Sequence, residues 1–238
     1  VTVRPWRYRP ARDLNLAPAA RWRDVRREPG LVGAVAHGGW LALVRLYLAV
    51  WHRFRVLGRE NLPAEPPFVL VANHASHLDA LALGAALPAR LGSRTYALAA
   101  SDVFFEDDAL AAFAAVALNA LPMRRRKASG ADLKELRDRL VAEPCALILF
   151  PEGTRVRDGR LTAFKPGVGM LVAGTEVPVV PCRIEGAHAA LPPGRRLPRP
   201  RPITVRIGAP LVFADRPNAK AGWLAIAAAL QAAVAELV

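Results

Sequence analysis

Cysteine is nearly absent from this 238-residue sequence, which holds only Cys145 and Cys182. Two thiols exclude a disulfide-dense scaffold and a cysteine-rich zinc site. Each lies in an apolar run (CALILF, VPVVPCRI) that reads as a buried, reduced position in a reducing, cytoplasmic compartment. Lysine is scarce too: Lys127, Lys134, Lys165 and Lys220 stand among 33 basic residues, so the net charge of +13 rests on arginine, whose fork matches phosphate. Such a field favours anionic partners: lipid headgroups, nucleotide-bearing cofactors or nucleic acid. No internal repeat is visible, no recognised nucleic-acid motif, and no apolar segment with a small-residue cleavage site of a secretory signal. Yet 53% of the residues are hydrophobic and 22% charged, too apolar for a disordered chain and too often charged for a multi-span membrane protein.

Residues 1–30 read as an irregular basic arm, with Arg4, Arg7, Arg9, Arg12, Arg21, Arg23, Arg26 and Arg27 among four prolines. Residues 31–55 read as an amphipathic helix lying in a bilayer surface or packed on its own domain. Trp40, Val44, Tyr47, Trp51 and Phe54 recur at spacings of 3 and 4, with Arg45, His52 and Arg55 on another face. His37, Gly38, Gly39 and Arg45 interrupt the run and argue against a spanning helix. These residues, 1–55, form a front segment before a domain at 56–238.

From residue 56 strands alternate with helices. Strands are expected at 68–72, 95–100, 120–124, 145–150, 177–184 and 203–208. Helices are expected at 77–91, 107–118, 131–142, after Pro166 and at 217–236, and the proline- and arginine-rich stretch 187–202 reads as a surface loop. The fold class is α/β, a mostly parallel sheet flanked by helices.

Three polar clusters fall where strands end, the usual place for ligands in such sheets. Asn73-His74-Ala-Ser-His-Leu-Asp79 follows FVLVA, and a turn at Ser76 brings the Asp79 carboxylate beside the His74 imidazole, a general-base pair. Ser76-x-x-Asp79 also reads as a capping box, a purely structural role, and His77 has no evident partner. Phe150-Pro-Glu152-Gly153-Thr154-Arg155 follows the buried strand CALILF and reads either as an outward-facing turn or as an ordinary surface turn. Arg124-Arg125-Arg126-Lys127, after ALPM, reads as a solvated run or as an anion clamp, and Lys165 precedes a helix start.

His-x4-Asp, a downstream arginine, FPEGTR and VPVVP, in this order, resemble the four blocks of the glycerophospholipid acyltransferase family. Its best-known members are bacterial 1-acyl-glycerol-3-phosphate acyltransferases, and the likeness covers about residues 56–212. The resemblance implies acyl transfer from acyl-CoA or acyl carrier protein to a lysophospholipid hydroxyl at the cytoplasmic face of an anionic membrane. It implies no cofactor, no metal and no nucleic-acid partner. It makes His74 the general base and Asp79 its orienting partner. Asn73, Arg125, Glu152, Gly153, Thr154, Arg155 and Lys165 fall to substrate binding. Lysophosphatidic acid is the foremost acceptor, with lysophosphatidylethanolamine, an aminolipid or a glycolipid as alternatives. Asn119 replaces a glycine common in relatives and, with Arg124, stands where acceptor choice is expected; Val156 stands where relatives often carry serine.

Overall fold

The computed structural model describes residues 11–28, 30–123 and 130–237. Seven strands form one sheet: β1 (Arg55–Leu57), β2 (Phe68–Ala72), β3 (Thr95–Ala100), β4 (Ala120–Met123), β5 (Ala146–Leu149), β6 (Val179–Glu185) and β7 (Thr204–Ile207). Their order is β1-β7-β6-β2-β5-β3-β4, and only the β6–β7 pair is antiparallel. All five residues of β2 are buried because helices cover both faces, so the strand is apolar throughout instead of alternating. Phe68 and Leu70 enter one core, while Val69 and Val71 enter the other.

The helices are α1 (Pro18–Trp22), α2 (Gly30–His52), α3 (Asp79–Ala86), α4 (Ala89–Gly92), α5 (Ser101–Phe104), α6 (Asp108–Ala117), α7 (Gly130–Ala142), α8 (Gly167–Val172), α9 (Ala187–Ala190) and α10 (Lys220–Glu236). The expected helix at 77–91 is two pieces, α3 and α4, because Pro88 cannot continue the first. The Arg45 guanidinium donates to the freed carbonyls of Ala85 at 3.1 Å and Leu87 at 2.8 Å. Stretch 187–202 is not wholly surface: it opens with α9, and Ala187, Ala190 and Leu191 are buried.

Helix α2 stops at His52, short of residue 55, where Arg53 takes a positive φ of 45° and the chain turns into β1, an edge strand the sequence did not announce. The aromatic stripe is divided: Val44 is in the core and Trp40 and Phe54 pack against it, whereas the rest of the stripe faces outward. His37, Leu41, Val44, Leu48 and His52 face the domain, while Tyr47 and Trp51 are exposed. Two stripes at helical spacing overlap on this helix, and the buried one tolerates histidines because each finds a carbonyl: Val116 for His37 at 2.9 Å, Arg201 for His52 at 3.0 Å. The opposite face leaves Leu31, Val32, Val35, Leu43, Leu46 and Val50 in the open. By length and composition alone α2 could cross a membrane, although one of its faces is packed on α3, α4 and α6.

The described part of the front arm, 11–28, is docked rather than loose. Arg139 on α7 donates to the carbonyls of Val25 and Arg27 and stacks over Tyr96 of β3 at 4.4 Å. Arg27 is itself buried, with its guanidinium pKa lowered to about 10 by burial, and donates to Asn119 Oδ1 at 2.7 Å and Ala120 O at 3.1 Å.

Candidate active site

The carboxyl ends of β2, β5 and β3 open onto a cleft of about 160 Å³. Its lining combines polar residues, His74, His77, Thr154 and Arg155, with apolar ones, among them Leu98, Val103, Phe104, Leu118, Met123 and Leu149.

His74 leaves the end of β2 with its ring stacked on Phe150, the residue that follows β5, at a centroid distance of 4.2 Å. Its Nδ1–H donates to Asp79 Oδ2 at 2.9 Å. That oxygen also accepts the backbone N–H groups of Ala75 and Ser76, both at 2.7 Å, and Asp79 is fully buried at the start of α3. The turn-closing and dyad readings of Asp79 are therefore one arrangement: the carboxylate that closes the turn leading into α3 also fixes the imidazole. A proton held on Nδ1 leaves Nε2 as the nitrogen with a free lone pair. Ser76 Oγ donates to Leu191 O at 2.8 Å and accepts from Leu78 N–H at 3.1 Å, tying this loop to the segment after α9.

The second loop is joined to the first through its backbone. Glu152 is buried; its Oε1 accepts the His74 N–H at 2.7 Å, and its Oε2 accepts the N–H of Thr162 at 3.0 Å and its hydroxyl at 2.5 Å. Val156 is buried, and its N–H donates to His74 O at 3.0 Å. Both Glu152 oxygens are thus occupied by the protein, and one of them fixes the backbone of His74. Asn73 is likewise occupied: its amide donates to Ile184 O at 3.0 Å and accepts from Ile184 N–H at 2.8 Å, extending the β2–β6 pairing past the strand end.

Arg155 reaches the cleft, and its guanidinium donates to Nε2 of His77. Burial, then the charges of Arg155 and His74, lower the His77 pKa below its ordinary 6.5, so the ring is a neutral acceptor at pH 7. This partnership is what the sequence reading missed; nothing in a spacing of 78 residues signals it. Lys165 is exposed and lies over Gly153, where an added Cβ would meet its Nζ at 2.5 Å. Gly153 also holds a positive φ of 74°, so backbone and neighbour both demand glycine there. Arg125, with Arg124 and Lys127, lies outside the described residues.

Asn119 does not face the cleft. It is buried with a φ of 46°, and its amide donates to Thr95 O at 2.8 Å while accepting from Arg27. A left-handed position suits glycine or asparagine, so the backbone conformation accounts for the exchange between those two residues. The two thiols are buried, and burial raises both pKa values, that of Cys145 to about 11.

Residues 53–185 match the family described as Acyltransferase. The chain is 32% identical over 146 residues to 1-acyl-sn-glycerol-3-phosphate acyltransferase BAT2, chloroplastic, of Brassica napus, which is 60% of this chain and 40% of that protein. It is 29% identical over 129 residues to 1-acyl-sn-glycerol-3-phosphate acyltransferase alpha of Homo sapiens, which is 54% of this chain and 44% of that one. The crystal structure of the 1-acyl-sn-glycerophosphate (LPA) acyltransferase PlsC from Thermotoga maritima superposes with a TM-score of 0.62 at 24% identity, covering 83% of this chain and 79% of that one, a likeness of fold. The chain spans less than half the length of the curated relatives it matches.

Proposed function

The chain belongs to the acyltransferase family, and we propose that it moves a fatty acyl group from a thioester, acyl-CoA or acyl carrier protein, to the free hydroxyl of lysophosphatidic acid, giving phosphatidic acid. The observation that carries the reading is the bond from buried Asp79 to His74, whose ring lines a cleft that has both cationic and apolar walls. His74 Nε2 takes the proton of the acceptor hydroxyl as its oxygen bonds to the thioester carbonyl carbon. Asp79, already hydrogen-bonded at Nδ1, stabilises the imidazolium that results. The C–S bond then breaks, the leaving sulfur takes the proton back from His74, and no acyl-enzyme forms.

Arg155 and Lys165 supply cations for the acceptor phosphate, one fork-shaped and one a point charge. Leu98, Val103, Phe104 and Met123 offer a wall of matching polarity to the acyl chain. The exposed apolar face of α2 suits a peripheral position on a membrane, where single-chain lipids reside. Thiol release from acyl-CoA or acyl carrier protein should require lysophosphatidic acid. His74→Ala should lower it by a factor on the order of a thousand, as expected for loss of a positioned base. Unchanged turnover in that variant rejects the assignment.

A further inference from the structure

Strand register places a basic loop far along the sequence at the same end of the sheet as the cleft. Ala72, the last residue of β2, pairs with Cys182 of β6, so Glu185 stands three residues further on, level with the loop of His74. Glu185 pairs with Thr204 of β7, and Thr204 with Arg55 of β1. The end of α2, the start of β1 and the loop entering β7 thus lie level with the catalytic loop. Three strand spacings separate β1 from β2, about 14 Å in all.

The segment between α9 and β7 is anchored at both ends. Leu191 O accepts from Ser76 in the catalytic loop, while Arg201 O is bonded to the buried His52 that ends α2. Between these ties Arg195, Arg196, Arg199 and Arg201 are exposed, and Leu197 projects from among them at 76% exposure. Val50, Trp51, Arg53 and Arg55 lie exposed at the adjoining end of α2. Neither 29–59 nor 186–214 contains an acidic residue.

We infer that the loop 194–201 is a contact for anionic lipid, and that the carboxyl end of the sheet is the face the protein turns to the bilayer. An exposed leucine ringed by arginines, beside a tryptophan and the outward apolar face of α2, has the composition of an interfacial surface. An acidic protein would satisfy the arginines but leaves the apolar tip and the neighbouring helix face without a partner. Val103, which lines the cleft, is exposed with Leu110 and Phe113 on the helices that follow β3, and Phe113 meets Trp40 of α2, so apolar surface continues from α2 onto these helices. The inference gives the proposed acyl transfer its lipid supply, but binding is measurable without turnover.

The test is co-sedimentation of the full chain with phosphatidylcholine vesicles, with and without equimolar phosphatidylglycerol. Arg196→Glu should weaken binding to the anionic vesicles roughly twenty-five-fold at low salt, from about fivefold for each unit of charge lost. Leu197→Ser should weaken it by about tenfold through lost apolar burial. Arg90→Glu, the same charge change on α4 before β3 begins, should bind as the parent does. The inference is overturned if Arg196→Glu and Leu197→Ser bind like the parent, or if Arg90→Glu costs as much as Arg196→Glu. It is also overturned if vesicle binding holds while transfer from acyl carrier protein falls, since the loop is then a protein-docking site. Vesicle binding that responds as expected in a chain without acyl transfer would keep this inference and remove the proposed function.

Discussion

The Glu152 carboxylate holds the backbone N–H of His74 at 2.7 Å, joining two loops whose residues lie 78 positions apart in the chain. The bond is a charge-assisted one in a buried setting, so it fixes where the imidazole starts from rather than what the substrate touches. Glu152→Gln puts an amide donor in place of one accepting oxygen and should destabilise the fold by about 2 kcal/mol. A substrate-binding role would raise the acceptor KM with kcat preserved. The positioning role instead lowers kcat with KM little changed, and initial-rate kinetics beside a thermal melt separates the two.

Asn119 gives a second division between structure and substrate. At a φ of 46° a β-carbon is strained, and the side chain repays it by hydrogen bonds to Thr95 and Arg27. Asn119→Ala loses those bonds and keeps the strain; Asn119→Gly loses the bonds and relieves it. The alanine variant should be the less stable by about 1 kcal/mol in urea denaturation. Both variants should keep the parent's ranking of lyso-lipid acceptors by kcat/KM.

These two residues also show what the sequence could and could not reveal. The α/β alternation, the buried central strands and the His74–Asp79 pairing are local: hydrophobic runs of strand length mark the first two, and a spacing of five residues across a turn offers the third beside a capping role. Glu152, Asn73 and His77 take their partners from segments distant in the sequence, so their residue types were visible and these bonds were not. The docked arm depends on Arg27 and Arg139 meeting at Tyr96, a contact made only after β3, α7 and the arm come together. On α2, helical spacing was legible but the buried stripe was not, because apolar residues occupy most of its circumference and only packing selects among them.

His37 should make stability fall on acidification. Burial lowers its pKa below the ordinary 6.5, and its neutral ring bonds Val116 O, joining α2 to α6. Above the unfolded value neither state carries a proton, and this stability is fully present. As pH falls below it, the unfolded chain binds a proton that the folded chain refuses, so stability drops until the lowered folded value is reached. Urea midpoints measured from about pH 8 to about pH 5 should decline for the parent, and His37→Asn should remove part of that slope. An identical slope in the variant would assign the acid sensitivity to other groups.

Gly153 and Lys165 should fail together. A Cβ at Gly153 would meet the Lys165 Nζ at 2.5 Å, on a backbone whose φ of 74° already disfavours any side chain. Because the obstructing atom is the tip of a flexible side chain, Gly153→Ala should fold, with a strain cost of about 1–2 kcal/mol, and push the ammonium off the turn. If that ammonium meets the acceptor phosphate, Gly153→Ala and Lys165→Ala each raise the acceptor KM, about tenfold for a lost charge-assisted bond. In the double variant the lysine is already gone, so adding Gly153→Ala to Lys165→Ala should raise KM little further. Independent, multiplying effects would instead show that Gly153 acts through the course of the loop carrying Arg155 and not through the lysine beside it.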